Sequence, residues 1–86
     1  MYDVRLTTRA ERELEGLPAR YQTAIVRRLL ELANWPVQGS DIKALRGSVP
    51  GTHRLRVGPY RAILSVNVGT QTITVVRIGH RSRVYQ

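Results

Sequence analysis

Three absences narrow the chemistry open to this 86-residue chain. It has no cysteine, which excludes a disulfide framework and a thiolate metal site, and its two histidines without clustered carboxylates argue against bound zinc. Its apolar runs are too short to span a bilayer, and Met1–Leu6 lacks the basic start and apolar stretch of a secretory signal. We therefore expect a cytoplasmic protein with no metal, no cofactor and no membrane partner.

Acidic residues are missing from the second half of the chain. None follows Asp41, whereas residues 1–42 hold six acids and six arginines, which cancel. The formal charge of +8 therefore lies on one half of a small protein, and thirteen of the fourteen cations are Arg. Arg binds phosphate bidentately and stacks on bases, so segregated Arg charge indicates a nucleic-acid partner. The alternative is a basic surface kept for solubility, although such surfaces usually mix both signs.

Length predicts one domain over residues 1–86, and 42% hydrophobic residues suffice for a modest core. The alternation in Tyr2–Leu6 predicts a strand. Thr8 and Glu11 have the spacing of a capping box, which predicts a helix from there to Gly16. A second helix is predicted over residues 18–34, with Val26 and Leu30 widening its buried stripe.

Residues 37–51 are rich in Pro, Gly and Ser and predict a loop. Alternation and β-branched residues beyond it predict three strands, at His53–Val57, Tyr60–Val68 and Gln71–Ile78. Their short connections make these strands antiparallel neighbours. The predicted fold class is α+β, in the order β-α-α-β-β-β, with a helical hairpin packed on one face of an antiparallel sheet.

Side-chain alternation predicts where the cations of these strands lie. If the helices cover the face of Leu55 and Leu64, then the strand arginines Arg54, Arg56 and Arg61 converge on the open face. The segment after the last strand is expected to fold over the edge of that face. It would add Arg81, Arg83, His80 and Tyr85. Positive charge beside an aromatic ring suits a single strand of RNA.

His80 is the one predicted site residue whose unperturbed pKa lies near neutrality, which makes it a candidate general acid or base. The equal alternative is that its hydrogen bonding shapes the turn at Gly79.

Several segments, taken in order, resemble one family over nearly the whole chain. The strongest pieces are Tyr60–Ile63, Ile78–Arg81 and Val84–Tyr85, supported by Thr8–Leu14 and Lys43–Gly47. Together they resemble the RelE/ParE superfamily of type II toxins. The resemblance implies a β-α-α-β-β-β core, often with a C-terminal helix that would have at most a turn or two here. The RelE branch is known for ribosome-dependent cleavage of mRNA, and the ParE branch for inhibition of DNA gyrase.

The resemblance also implies roles for residues at matching positions. Arg61, Arg81 and Tyr85 match the catalytic pattern of the RelE branch, and Arg54 and Arg56 match its basic residues on the second strand. The best-known member has Lys at those two positions and a longer spacing between the last Arg and the Tyr. Arg keeps the positive charge but does not release a proton.

The segregated arginines and the resemblance together predict a toxin that cleaves mRNA and inhibits translation, and the resemblance implies that it does so at the ribosomal A site. RNA carries its own nucleophile, the 2′-hydroxyl, so the protein must orient the strand, stabilise the phosphorane and manage two protons. The expected partners are mRNA, the ribosome and a cognate antitoxin whose acidic segment masks Arg54–Arg61 or displaces the C-terminal turn. The alternatives are a ParE-like inhibitor of DNA gyrase and a noncatalytic RNA-binding module.

Overall fold

A computed structural model describes residues 1–85 and consists of two helices on one face of a five-stranded sheet, which confirms the predicted α+β class. In chain order the elements are β1 Asp3–Leu6, α1 Thr8–Glu15, α2 Ala19–Glu31, β2 Ile42–Ala44, β3 Thr52–Val57, β4 Tyr60–Asn67 and β5 Thr72–His80. A 3₁₀ turn at Leu32–Asn34 continues α2. Neither helix in this part of the chain has the length and apolar character that a bilayer crossing requires.

The strands lie in the order β1-β5-β4-β3-β2. The neighbours β3, β4 and β5 are antiparallel, as their short turns predict. However, β1 pairs with β5 in parallel, so the sheet is mixed rather than wholly antiparallel. The helical hairpin carries the chain from β1 to the far edge of the sheet, and the strands then return until β5 lies beside β1.

β2 lies inside the segment predicted as a loop. Its residues Ile42 and Lys43 pair with Leu55 and Arg54 of β3, and Ile42 is buried in the core. The loop prediction is therefore wrong here. The strand was missed because three residues, in a segment rich in Gly, Ser and Pro, are too few to show an alternating pattern. The strand therefore adds a free edge to the sheet, next to β3.

The start of α1 differs from the predicted capping box. The N-cap is Thr7, whose Oγ1 accepts a hydrogen bond from the backbone N–H of Ala10 at 3.1 Å. Thr7 is fixed one residue early because its own N–H donates to the carbonyl of Val75, which extends the pairing of β1. The capping box of Thr8 and Glu11 is therefore wrong, since Ala10 occupies the position that the Glu of such a box requires.

The core lies between the helices and the apolar face of the sheet. Its buried side chains are Ala10, Ile25, Leu29, Leu32, Ile42, Leu55, Ala62, Leu64, Ile73, Val75 and Ile78. Val26 and Leu30 were expected to widen the buried stripe of α2, but they are 40% and 71% exposed. Only one side of α2 faces the sheet, so these two residues lie beyond the width that the sheet covers.

A carboxylate from α1 stabilises β5 where β1 has ended. β1 pairs only as far as Val75, so the next edge N–H groups of β5 need another acceptor. Glu13 supplies it, accepting from the N–H of Ile78 at 3.0 Å and from Nε of Arg77 at 3.2 Å. The register of β4 and β5 also shifts just before this point, between Ile63 and Leu64. Glu13 therefore fixes the last stretch of β5.

We expect Glu13→Ala to lower the free energy of unfolding by about 2 kcal/mol, since it removes a charge-assisted hydrogen bond to an edge N–H. The ion pair with Arg77 is partly exposed and adds little. Urea denaturation measures the change. Glu15→Ala is the matched control, because Glu15 lies on the exposed side of the same helix. Equal losses in both variants would contradict a specific role for Glu13.

Candidate nucleic-acid interface

The pairing of β3 and β4 places the strand arginines on one face. Arg56 lies directly opposite Arg61, while Leu55 lies opposite Ala62 and both of these are buried. Opposite residues in an antiparallel pair share a face, and their neighbours along the strand point to the other one. Arg54 follows the same alternation as Arg56, so all three arginines lie on the face that the helices leave open.

The C-terminal turn, residues 81–85, folds back over this open face. The N–H of Arg81 donates to the carbonyl of Pro59 at 2.9 Å, which ties the turn to the β3–β4 connection. Val84 is 2% exposed and lies against Gly79, where an added Cβ would be 3.7 Å from the Cβ of Val84. Gly79 pairs with Arg61 and therefore occupies the same face. The turn is thus held beside the strand arginines.

The electrostatic environment of Arg61 agrees with the grouping that the strand pairing and the turn indicate. Burial lowers the pKa of Arg61, and the positive charges of Arg54, Arg56 and Arg81 lower that pKa further, whereas Tyr85 raises it. Interactions of this kind weaken with distance, so the groups lie close together. We call these four arginines, with Tyr85 at their border, the arginine cluster.

Two details of the arginine cluster suit an anionic ligand. Nη1 of Arg61 donates to the carbonyls of Gly58 and Tyr60 at 3.0 and 2.9 Å, which fixes the orientation of the guanidinium. Nε of Arg54 is buried and has no hydrogen-bond partner among the described residues. Orphaned buried donors are uncommon in folded proteins. A phosphate on this face would relieve the repulsion among the cations.

His80 does not lie in the arginine cluster. It pairs with Tyr60 on the helix-covered face, with ring centroids 6.0 Å apart, and Tyr60 in turn contacts Tyr21 of α2 at 4.9 Å. Nδ1 of His80 accepts from the N–H of Ser82 at 3.1 Å and lies 2.8 Å from Oγ of Ser82. This geometry supports the alternative weighed from sequence, in which His80 shapes the turn.

Two further cations of the second half, Arg83 and Arg77, fall outside the cluster. Arg83 is exposed and is not among the groups that shift the pKa of Arg61. Arg77 is engaged by Glu13 at the edge of β5. Within residues 1–85, no group of three or more His, Asp or Glu side chains is placed to hold a metal ion.

Sequence reasoning did not identify the contact that fixes the turn. Val84 lies between Arg83 and Tyr85, and its burial against Gly79 holds the tail over the sheet. The available signal was a lone apolar residue in a polar tail, five positions after a glycine.

We expect tripolyphosphate to stabilise the protein, because a bound anion offsets the repulsion that lowers the pKa of Arg61. At ten times its Kd the gain is about 1.4 kcal/mol, which corresponds to a rise in Tm of roughly 7 °C for a domain of this size. Arg61→Gln should remove most of the rise, whereas Arg27→Gln, on the exposed side of α2, should keep it. The same rise in NaCl of equal ionic strength would mean screening rather than binding.

The fold and the arginine cluster define a small basic α+β protein with clustered arginines on the open face of its sheet. Comparison with known proteins agrees. Residues 4–85 match the sequence model described as the ParE toxin of type II toxin-antitoxin systems. The chain is 34% identical to Toxin RelG of Mycobacterium tuberculosis, over 99% of this chain and 97% of that protein. It is 31% identical to Toxin RelE of the same organism, over 99% of this chain and 87% of that protein.

Solved structures show the same fold. The toxin in the crystal structure of the RelBE2 toxin-antitoxin complex of Mycobacterium tuberculosis matches with a TM-score of 0.78 and 34% identity, over 93% of this chain and 98% of that one. The chain therefore belongs to the RelE/ParE family, and it is the toxin component of a type II toxin-antitoxin system.

Proposed function

We propose that this toxin cleaves mRNA in the ribosomal A site and thereby inhibits translation. The observation that carries the proposal is the arginine cluster, in which two strands and the C-terminal turn bring four guanidinium groups and a Tyr together. The relatives named RelG and RelE favour this reading over inhibition of gyrase. Cleavage requires no protein nucleophile, because the 2′-hydroxyl of RNA attacks its own phosphorus and the 5′-oxygen leaves.

Arg61 is the proposed clamp on the phosphorane. Its guanidinium is oriented before substrate binds, because Nη1 is anchored to two backbone carbonyls. Such preorganised donors stabilise charge that develops in the transition state without further reorganisation. Partial burial strengthens the interaction, since water competes less for the phosphate oxygens.

Arg81 is proposed to stabilise the leaving oxygen, and Tyr85 to stack on a base or to lie beside the 2′-hydroxyl. Both belong to the C-terminal turn, and the burial of Val84 against Gly79 supports the proposal by holding that turn beside the strand arginines. Arg54 and Arg56 would hold the backbone of the strand, and Arg83 would add an outer phosphate contact. These charges should give RNA binding a steep salt dependence.

Proton transfer is the part of the reaction that the cluster supports least. His80 lies on the other face and is engaged with Ser82, so we assign it a positioning role. The cluster then acts by orientation and electrostatics, and water exchanges the protons. An enzyme of this kind is slow alone, which fits a substrate that is positioned by the ribosome.

We also propose that a cognate antitoxin neutralises this toxin. The RelBE2 relative was crystallised as a toxin-antitoxin complex. A chain without acids after Asp41 favours an acidic segment that folds on binding. Such a segment would mask Arg54–Arg61 or displace the C-terminal turn.

Brief induction in cells, followed by mapping of mRNA 5′ ends, tests the function. We expect new ends within translated codons for the parent protein and none for Arg61→Ala. Onset of DNA-damage signalling together with loss of supercoiling activity, without mRNA cuts, would instead indicate inhibition of gyrase. RNA affinity without either outcome would leave a noncatalytic RNA-binding module.

A further inference from the structure

The outer edge of β2 carries backbone groups that the sheet does not use. The ladder to β3 uses Asp41, whose carbonyl accepts from the N–H of Arg56 at 2.7 Å, and Leu45, whose N–H donates to the carbonyl of Thr52 at 2.9 Å. Alternation along an antiparallel pair therefore turns the N–H and C=O of Ala44 outward. No partner for them is found within residues 1–85.

A cleft of about 340 Å³ opens beside this edge. Its apolar walls include Trp35, Val37 and Ile42, and the ring of His53 meets that of Trp35 edge-on at 5.0 Å. Lys43 and Ala44 of β2 line it as well. Alternate residues of a strand added to β2 would point to the same side and enter the cleft.

The surroundings of the edge are positively charged. Lys43 and Arg46 are exposed, and Lys43 pairs with Arg54 on the open face. The nearest acid in sequence, Asp41, is already engaged by Arg28 at 2.9 Å. Residues of an added strand that point away from the cleft would therefore meet cations.

From these three observations we propose that the β2 edge is a docking site for an extended acidic segment of a partner protein. The segment adds as a sixth strand, its apolar residues at alternate positions fill the cleft, and its intervening Asp or Glu residues face Lys43. The proposal does not depend on RNA cleavage, because the cleft and edge use none of the side chains assigned to catalysis.

The single Trp of the chain, Trp35, lines the cleft and reports its occupancy by fluorescence. The probe is a short synthetic peptide of alternating Glu and Leu. We expect a saturable change in emission that weakens as salt rises. A peptide of the same composition with separate Glu and Leu blocks should bind far more weakly, and equal binding of the two would overturn the proposal.

Ala44→Pro removes the outward N–H, and Pro is tolerated where an edge N–H faces solvent. We expect affinity for the alternating peptide to fall about tenfold in this variant, whereas Ala44→Ser should bind like the parent. Unchanged affinity of a folded Ala44→Pro protein would sink the proposal. Should circular dichroism show that Ala44→Pro is unfolded, Lys43→Glu decides instead. It should bind the acidic peptide about fivefold more weakly and a Lys–Leu peptide more tightly, and no change in either would refute the site.

Discussion

Arg61→Ala is expected to abolish growth inhibition and to slow cleavage of ribosome-bound mRNA by about 10²–10³-fold, the usual loss for one preorganised donor at a developing charge. Arg61 lies at the centre of the arginine cluster, where it interacts electrostatically with three other arginines and Tyr85. The variant also loses a guanidinium that is anchored to Gly58 and Tyr60. Single-turnover cleavage on programmed ribosomes measures the rate directly.

Two further variants separate charge from geometry at this position. Arg61→Lys keeps the positive charge but loses the planar guanidinium, which can donate to the backbone carbonyls and to the ligand at once. We therefore expect the cleavage rate to fall about tenfold or more. Arg27→Ala removes an equivalent charge from the exposed side of α2 and should cleave at the parent rate. If Arg61→Ala also cleaves at that rate while remaining folded, Arg61 is not the phosphorane clamp.

Much of the sheet was predictable because β3, β4 and β5 are long enough to show their pattern. Each has at least six residues, and in β3 the alternation of Leu55 with Arg54 and Arg56 defines both the strand and its buried face. β2 was missed because three residues carry no period, and its formation depends on pairing with β3. The parallel pairing of β1 was missed for a related reason, since strand partners distant in sequence leave no local signal.

The common face of the three strand arginines was predictable from alternation, but the position of His80 was not. Arg54, Arg56 and Arg61 follow the period of their strands, so the sequence indicates their common face. His80 follows the same rule, because β5 continues to His80 and places its side chain opposite Tyr60 on the other face. The predicted strand ended at Ile78, two residues early, and His80 was therefore interpreted as part of the turn.

Arg81→Ala is expected to reduce cleavage about 10²-fold, whereas Arg83→Ala should reduce it only a few-fold. Both are exposed arginines of the same turn, two positions apart, so each substitution removes one positive charge from the same segment. They differ in that Arg81 contributes to the lowered pKa of Arg61 and Arg83 does not.

The salt dependence of RNA binding distinguishes these two roles. If Arg83 makes an outer phosphate contact, Arg83→Ala should reduce the slope of log K against log salt by about 0.7, which is the share of released counterions that one contact contributes on a single strand. Arg81→Ala should instead lower the cleavage rate at saturating ribosome concentration, because the leaving oxygen gains charge only in the transition state. Losses of equal size in both variants would mean that the turn contributes charge alone. In that case the burial of Val84 against Gly79 would not position a catalytic group.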